Sequence, residues 1–168
     1  ERLSYEVIQG SDQTEVTTLV NDSRKVEQGS VFVCICGAVA DGHRFAADVA
    51  AKGAAALVVQ REVEVPDNVT VIRVEDTRYA LALMSAAYFG YPAEKMKIVG
   101  ITGTKGKTTT TYMIRDILQS VGHNVGLIGT VEAIVGDKHY PAANTTPESY
   151  DIHRYFAEMA EAGCDTVV

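Results

Sequence analysis

The sequence predicts an α/β protein made of two successive α/β segments, the second carrying a phosphate-binding loop. Three observations predict it. Short β-branched runs alternate with amphipathic helical stretches along the 168 residues, the pattern of strands layered with helices. A seam of turn and polar residues, Gly90, Pro92 and then Ala93 to Lys97, separates two such patterns and places a boundary at about Pro92. A glycine-rich loop, Gly103 to Thr108, joins a strand to a helix in the second segment.

In the first segment, "SVFVCIC" (30–36) reads as a buried strand. "GHRFAADVAAKG" (42–53) reads as a helix with Phe45, Ala46, Val49 and Ala50 on one face and Gly53 as its stop. "AAALVV" (54–59) and "TVIRV" (70–74) read as two more strands. Asp76 is placed to cap a helix over 76–90, with Ala80, Leu81, Met84, Ala87 and Tyr88 on its buried stripe.

In the second segment, "KIVGIT" (97–102) reads as a strand running into the glycine loop. The helix after it, from Lys107, repeats Met113, Ile114, Ile117, Leu118 and Val121 at helical spacing and ends at Gly122. "NVGLIGT" (124–130) is a strand, and "VEAIVGDKHYPA" (131–142) a hairpin turning at Gly136–Asp137. A helix follows over 145–163. Thr146 is suited to cap it and Pro147 to its first position, with Ile152, Tyr155, Phe156, Met159 and Ala160 facing inward. "CDTVV" (164–168) starts a third strand.

Composition narrows the function classes. No apolar run reaches the length of a membrane span, and residues 1–20 lack the basic-then-apolar form of a secretory signal. Net charge is −7, divided as −5 over 1–92 and −2 over 93–168. Neither segment offers a basic surface for nucleic acid, and any phosphorylated ligand must be held by local donors. The three cysteines form no disulfide framework. Cys34 and Cys36 sit two apart on the expected strand, so both should point to one face as small buried hydrophobes. No His or Cys partners are spaced for zinc. A reducing, cytoplasmic compartment is the expectation.

The loop departs from the standard G-x-x-x-x-G-K-[ST] pattern, because Ile101 stands where the first glycine belongs. Its physics survives. Gly103 and Gly106 permit torsions and close approaches that a Cβ would block. Successive N–H groups can then face an anion at a helix N-terminus. Lys107 can reach β- and γ-phosphate oxygens, and the Thr108 hydroxyl can ligate Mg²⁺. A plain glycine turn is the alternative. It accounts poorly for Thr108–Thr111, four β-branched residues that each cost a helix a few tenths of a kcal/mol.

The run "TGTKGKTTTT" resembles the ATP loop of the Mur ligase family, T-G-T-N-G-K-T, with Lys105 in place of the commoner Asn. "DSRKVEQGSVFVCICGAVADGHRF" (22–45) resembles the uridine-nucleotide domain shared by the E and F branches of that family. "NTTPESYDIHRYFAEMAEAGCDTVV" (144–168), after the hairpin, resembles the E branch. The resemblance runs from about residue 15 to the end. It implies an ATP-dependent ligase of peptidoglycan synthesis that adds an amino acid to UDP-N-acetylmuramoyl-L-alanyl-D-glutamate through an acyl phosphate. The incoming amino acid would be lysine, diaminopimelate or another amine. It implies residues 1–92 as the UDP-substrate domain and 93–168 as part of the ATP domain.

By position, Gly103, Thr104, Lys105, Gly106, Lys107, Thr108 and Thr109 would hold ATP, with Lys107 catalytic and Thr108 on Mg²⁺. Asn21, Ser23, Ala38, Val39 and Ala40 would line the uridine pocket, and Asn144, Thr145 and Thr146 would contact the muramoyl substrate. A Mg²⁺-binding acid, a modified lysine and the amino-acid domain are expected C-terminal to Val168. On that expectation the 168 residues alone do not complete the reaction, and the full-length enzyme is monomeric.

Residue chemistry alone leaves other readings open. Ser23 and Arg24 suit a turn and a surface charge, although the Arg24 fork also suits a diphosphate. Thr146 suits a helix cap, and His43 a capping or half-buried role. The functional rivals are an F-branch ligase adding a dipeptide, a non-catalytic nucleotide-binding module, and a P-loop kinase or GTPase.

Overall fold

The computed structural model describes residues 3–37, 40–142 and 146–168. Contacts divide the chain into two units, Glu1–Met84 and Ser85–Val168.

The first unit holds strands β1 (Tyr5–Gln9), β2 (Thr18–Val20), β3 (Ser30–Val33), β4 (Ala56–Val59) and β5 (Thr70–Val74), with helix α1 (Ala46–Ala51) and the start of α2 (Thr77–Tyr88). The sheet order is β1-β5-β4-β3-β2. Strands β2 to β5 run parallel, and β1 joins the β5 edge antiparallel. Every residue of β3 and β4 is buried, as strands covered on both faces require, so apart from Ser30 at the start of β3 their sequences are apolar throughout. Phe32, Leu57, Val59 and Val71 pack with Val49 of α1 in this core. The short β2 and the mostly exposed β1 were not foreseen, because neither carries an apolar run of that kind.

Three expectations for this unit change. The residues read as one helix from Gly42 are a 3₁₀ turn, Gly42–Phe45, followed by α1. Gly53 at φ 97° ends it as expected. Asp76 does cap α2, its carboxylate accepting from the N–H groups of Arg78 (2.7 Å) and Tyr79 (3.1 Å). The buried face of α2, however, is Thr77, Ala80, Leu81 and Ser85, while Tyr88 is exposed. Lastly, β3 stops at Val33, so Cys34 is buried but Cys36 is exposed, and the two thiols do not share an environment. Burial pushes the Cys34 thiol up to about 12.

The second unit holds β6 (Lys97–Ile98), α3 (Lys107–Ser120), β7 (Val125–Ile128), β8 (Glu132–Val135), β9 (Lys138–Pro141), α4 (Ser149–Glu161) and β10 (Thr166–Val167). Its sheet order is β6-β10-β7-β8-β9. β10 lies between β6 and β7, parallel to both, so three strands end at one edge. The β8–β9 hairpin pairs Val135 with Lys138 and turns at Gly136–Asp137, as expected, with Gly136 at φ 55°. Met159 and Phe156 of α4 pack on Val135, Cys164 and Val167.

Two helix expectations fail here. On α3, Met113, Ile117 and Val121 are 59%, 62% and 71% exposed, and the buried residue is Thr111. The start of α4 falls at Ser149, later than Pro147, and Thr146 does not cap it. The capping position is Glu148, whose side chain makes no capping bond. No helix among the described residues is long and apolar enough to cross a membrane.

Candidate nucleotide site

The glycine loop sits at the edge where the parallel strands of the second unit end, the usual place for a ligand in an open α/β sheet. β6 is shorter than expected. Its ladder closes with the Val99 N–H donating to the Val167 carbonyl (2.8 Å), after which the chain leaves the sheet. α3 begins at Lys107, and the Thr110 N–H donates to the Gly106 carbonyl at 2.9 Å. The N–H groups of Lys107, Thr108 and Thr109 precede that bond in the first turn, and no side chain caps the end. Gly106, in the capping position, has φ 81°, a left-handed torsion that favours glycine. A Cβ on Gly106 would meet nothing within 4 Å, so space is open over the loop. A cradle of this form, with a cation beside it, fits a phosphate chain.

The Lys107 ammonium folds back across the loop and donates to the Gly103 carbonyl at 2.6 Å. The four threonines divide by task. Thr111 is buried and its hydroxyl donates to the Lys107 carbonyl (2.7 Å). Thr109 and Thr110 are exposed, as are Thr104 and Lys105 in the loop. Thr108 instead meets the hydroxyl of Thr130, at 2.8 Å, across the site. A pocket of about 260 Å³ opens here, lined by Lys107, Thr108, Thr130, Thr146, Ile152 and Phe156 among others. Thr146 therefore lines the pocket that the loop opens on, while Asn144 and Thr145 lie outside the described residues. Sequence reasoning missed Thr130. Its only signal is a hydroxyl residue directly after a glycine at the end of a strand.

In the first unit, Asn21 and Ser23 directly follow β2, and Ala40 belongs to the loop after β3. Those strands are parallel neighbours, with Val20 beside Phe32, so both segments leave the same edge of the sheet. Ala38 and Val39 lie outside the described residues. Arg24 turns onto Asp22, its Nε and Nη2 donating to the two carboxylate oxygens at 2.9 and 2.7 Å. That guanidinium holds the Asp22 carboxyl down at about 2.

His43 anchors the loop after β3. Its Nδ1 lies 2.7 Å from Asp41 Oδ1, and its Nε2 accepts the Gln60 N–H at 2.9 Å. Gln60 in turn accepts from the Thr77 hydroxyl (2.7 Å). Burial lowers the His43 pKa. The Asp41 carboxylate pulls the other way, but an Nε2 that accepts a backbone N–H carries no proton, so the ring is neutral with its proton on Nδ1. Asp41 also pairs with Arg61. No His or Cys partner was expected at zinc spacing, yet the fold brings Cys36, Asp41 and His43 together with their donor atoms close to one another. They do not fit a metal. Nε2 is occupied by Gln60, and Nδ1 carries the proton that bonds Asp41.

Comparison with known proteins agrees with this arrangement. The Mur ligase family catalytic-domain model matches residues 15–89, and the Mur ligase middle-domain model matches residues 101–168. A UDP-N-acetylmuramoyl-L-alanyl-D-glutamate–2,6-diaminopimelate ligase of Clostridium perfringens is 49% identical over 99% of this chain and 34% of its own length. The ligase of the same name from Bacillus licheniformis is 43% identical over 95% of this chain and 32% of its own. The chain thus spans about a third of the length of the curated relatives it matches. Among solved structures, one of a UDP-N-acetylmuramoyl-L-alanyl-D-glutamate–2,6-diaminopimelate ligase has a TM-score of 0.73 at 23% identity, covering 90% of this chain and 31% of that one. It is a likeness of fold. MurF from Acinetobacter baumannii has a TM-score of 0.59 at 26% identity, over 93% of this chain and 30% of its own. Two adjoining domain matches in one order, on a chain whose second unit has the uncapped loop just described, establish that it belongs to the Mur ligase family.

Proposed function

We propose that this chain is the nucleotide-binding part of an ATP-dependent ligase that adds the third amino acid to UDP-N-acetylmuramoyl-L-alanyl-D-glutamate. Diaminopimelate is the amino acid named for the relatives from C. perfringens and B. licheniformis, and is the one we propose. The observation that carries the reading is the uncapped N-terminus of α3 with Lys107 and Thr108 beside an open, mostly apolar pocket. ATP supplies a phosphoryl group that makes the substrate carboxylate reactive, and the amine then displaces inorganic phosphate to form the amide.

In this reading residues 1–92 bind the uridine nucleotide, through Asn21, Ser23 and Ala38 to Ala40. Residues 93–168 bind ATP. The loop from Gly103 to Thr109 holds the phosphates by its N–H groups, and Lys107 neutralises their charge. The Thr108 oxygen is offered to Mg²⁺, while Asn144, Thr145 and Thr146 meet the muramoyl peptide. Lys107 holds no substrate in place by shape. Its contribution is charge, which counts for more in the apolar surroundings of Ile152 and Phe156 than in water. The full-length enzyme is read as a cytoplasmic monomer.

The test is phosphate release by the full-length gene product with Mg-ATP and UDP-N-acetylmuramoyl-L-alanyl-D-glutamate. Meso-diaminopimelate, lysine and no amine are the three arms. Release that needs meso-diaminopimelate supports the reading, and release that needs lysine keeps the ligase but changes its amine. No release in any arm from folded protein overturns it. A dipeptide arm with the tripeptide nucleotide as acceptor then tests the F branch.

A further inference from the structure

We infer that Thr130 is a positioning residue for the cation site, holding the Thr108 hydroxyl so that its oxygen faces the metal. The inference rests on the nucleotide reading above and goes beyond it, since it adds a residue from a different element. A threonine hydroxyl has one proton and two lone pairs. Inside a helix it can spend the proton on the carbonyl four residues back, as Thr111 does with Lys107, but Thr108 is in the first turn of α3 and the residue four back, Thr104, lies in the loop. Thr108 instead meets Thr130 Oγ1 at 2.8 Å. If the Thr108 oxygen gives a lone pair to Mg²⁺, its proton must point away from the ion to an acceptor. Thr130 Oγ1 is that acceptor.

The placement of Thr130 is fixed by the fold. It sits between β7 and β8, where the Gly129 N–H donates to the Glu132 carbonyl (2.9 Å) and the Ala142 N–H to the Val131 carbonyl (3.0 Å). The turn is thus tied down on both sides of Thr130, and β7 is itself paired in register with β10. Thr130 and Thr108 line the same pocket. A partner that orients a ligand's proton typically changes metal affinity on the order of tenfold or more when removed.

The experiment is calorimetric titration of the full-length gene product with a non-hydrolysable ATP analogue across a Mg²⁺ series, for the parent, Thr130→Val and Thr130→Ser. The expected result for Thr130→Val is a half-saturating Mg²⁺ concentration raised on the order of tenfold, with affinity in the absence of Mg²⁺ unchanged. Thr130→Ser, which keeps the hydroxyl, should stay close to the parent. Three results overturn the inference alone: a Thr130→Val curve that overlays the parent, a Thr130→Ser loss equal to that of Thr130→Val, or equal losses with and without Mg²⁺. A parent protein that binds the analogue with no response to Mg²⁺, or not at all, overturns the nucleotide reading and this inference with it. Thr130 is exposed, so its substitutions should leave the thermal midpoint of the ligand-free protein in place.

Discussion

On the nucleotide reading proposed above, Lys107 is ready for its ligand before the ligand arrives. Its ammonium rests on the Gly103 carbonyl, 2.6 Å away, a bond made within the loop itself. Phosphate oxygens carry more charge than a carbonyl, so the same ammonium can exchange this partner for a stronger one at little cost. Lys107→Ala should lower phosphate release by the full-length enzyme about 10²- to 10³-fold, the scale for losing one preorganised charge donor, while the fold is retained. Steady-state phosphate release with a circular-dichroism control checks it. His43 gives a second residue-scale prediction, about stability. Its folded pKa lies below the ordinary 6.5, so the unfolded chain takes up the proton first as pH falls. The stability from its neutral ring is fully present above about pH 6.5 and is lost progressively below it, down to the lowered folded value. Thermal midpoints between pH 7.5 and 5 should therefore fall more steeply for the parent than for His43→Gln, which does not titrate. Parallel slopes would remove His43 as the cause.

At the scale of elements, legibility in the sequence followed what neighbours demand of each segment. Strands β3, β4 and β5 and the Gly136–Asp137 hairpin were legible, because burial on two faces and a two-residue turn each leave a local signature. The loop between β6 and α3 was legible for the same reason: glycine, lysine and threonine at fixed spacing before a helix. The Thr130–Thr108 contact was not, because the two hydroxyls are 22 positions apart and only the fold brings them near. Nor was the uncapped start of α4, where Thr146 and Pro147 have the chemistry of a helix start yet lie ahead of it. The contact between β7 and α4 was equally hidden, and it yields a prediction. A Cβ added to Gly126 would lie 2.5 Å from the Met159 sulfur and 2.9 Å from its Cγ. Met159 is fully buried, so it cannot swing out into solvent. Gly126→Ala should destabilise by about 1–3 kcal/mol through overpacking. Met159→Ala should cost about 2–5 kcal/mol by leaving a cavity. The double variant should be less destabilised than the sum of the two, because the added methyl occupies part of the vacated space. Urea unfolding of the three variants measures the coupling, and simple additivity would show that β7 and α4 relax independently.

For the chain as a whole, α3 carries the largest departure from expectation. Its apolar residues recur at helical spacing as a buried stripe should, yet Met113, Ile117 and Val121 stand more than half exposed, as does nearly half of Ile98 on the sheet-edge strand β6. Periodicity in a sequence reports that a face is meant to be covered, but not by which part of the protein. The curated relatives this chain matches are about three times its length, and the prediction is that sequence outside these 168 residues covers the stripe. An apolar stripe of this kind in water favours association. The 168-residue chain on its own should bind a fluorescent apolar dye and sediment as a concentration-dependent mixture. Ile117→Glu combined with Val121→Glu should lower both effects without lowering the thermal midpoint by more than about a degree or two, since exposed positions contribute little to stability. In the full-length gene product the stripe should be covered, so dye binding per mole should be smaller than for the 168-residue chain. There the same two charges should destabilise by at least about 2 kcal/mol, because each is forced into an apolar contact without a partner. Dye fluorescence and urea midpoints on the four proteins decide the matter. A full-length protein indifferent to the two glutamates would mean that α3 faces water in the whole enzyme, and that its spacing needs another explanation.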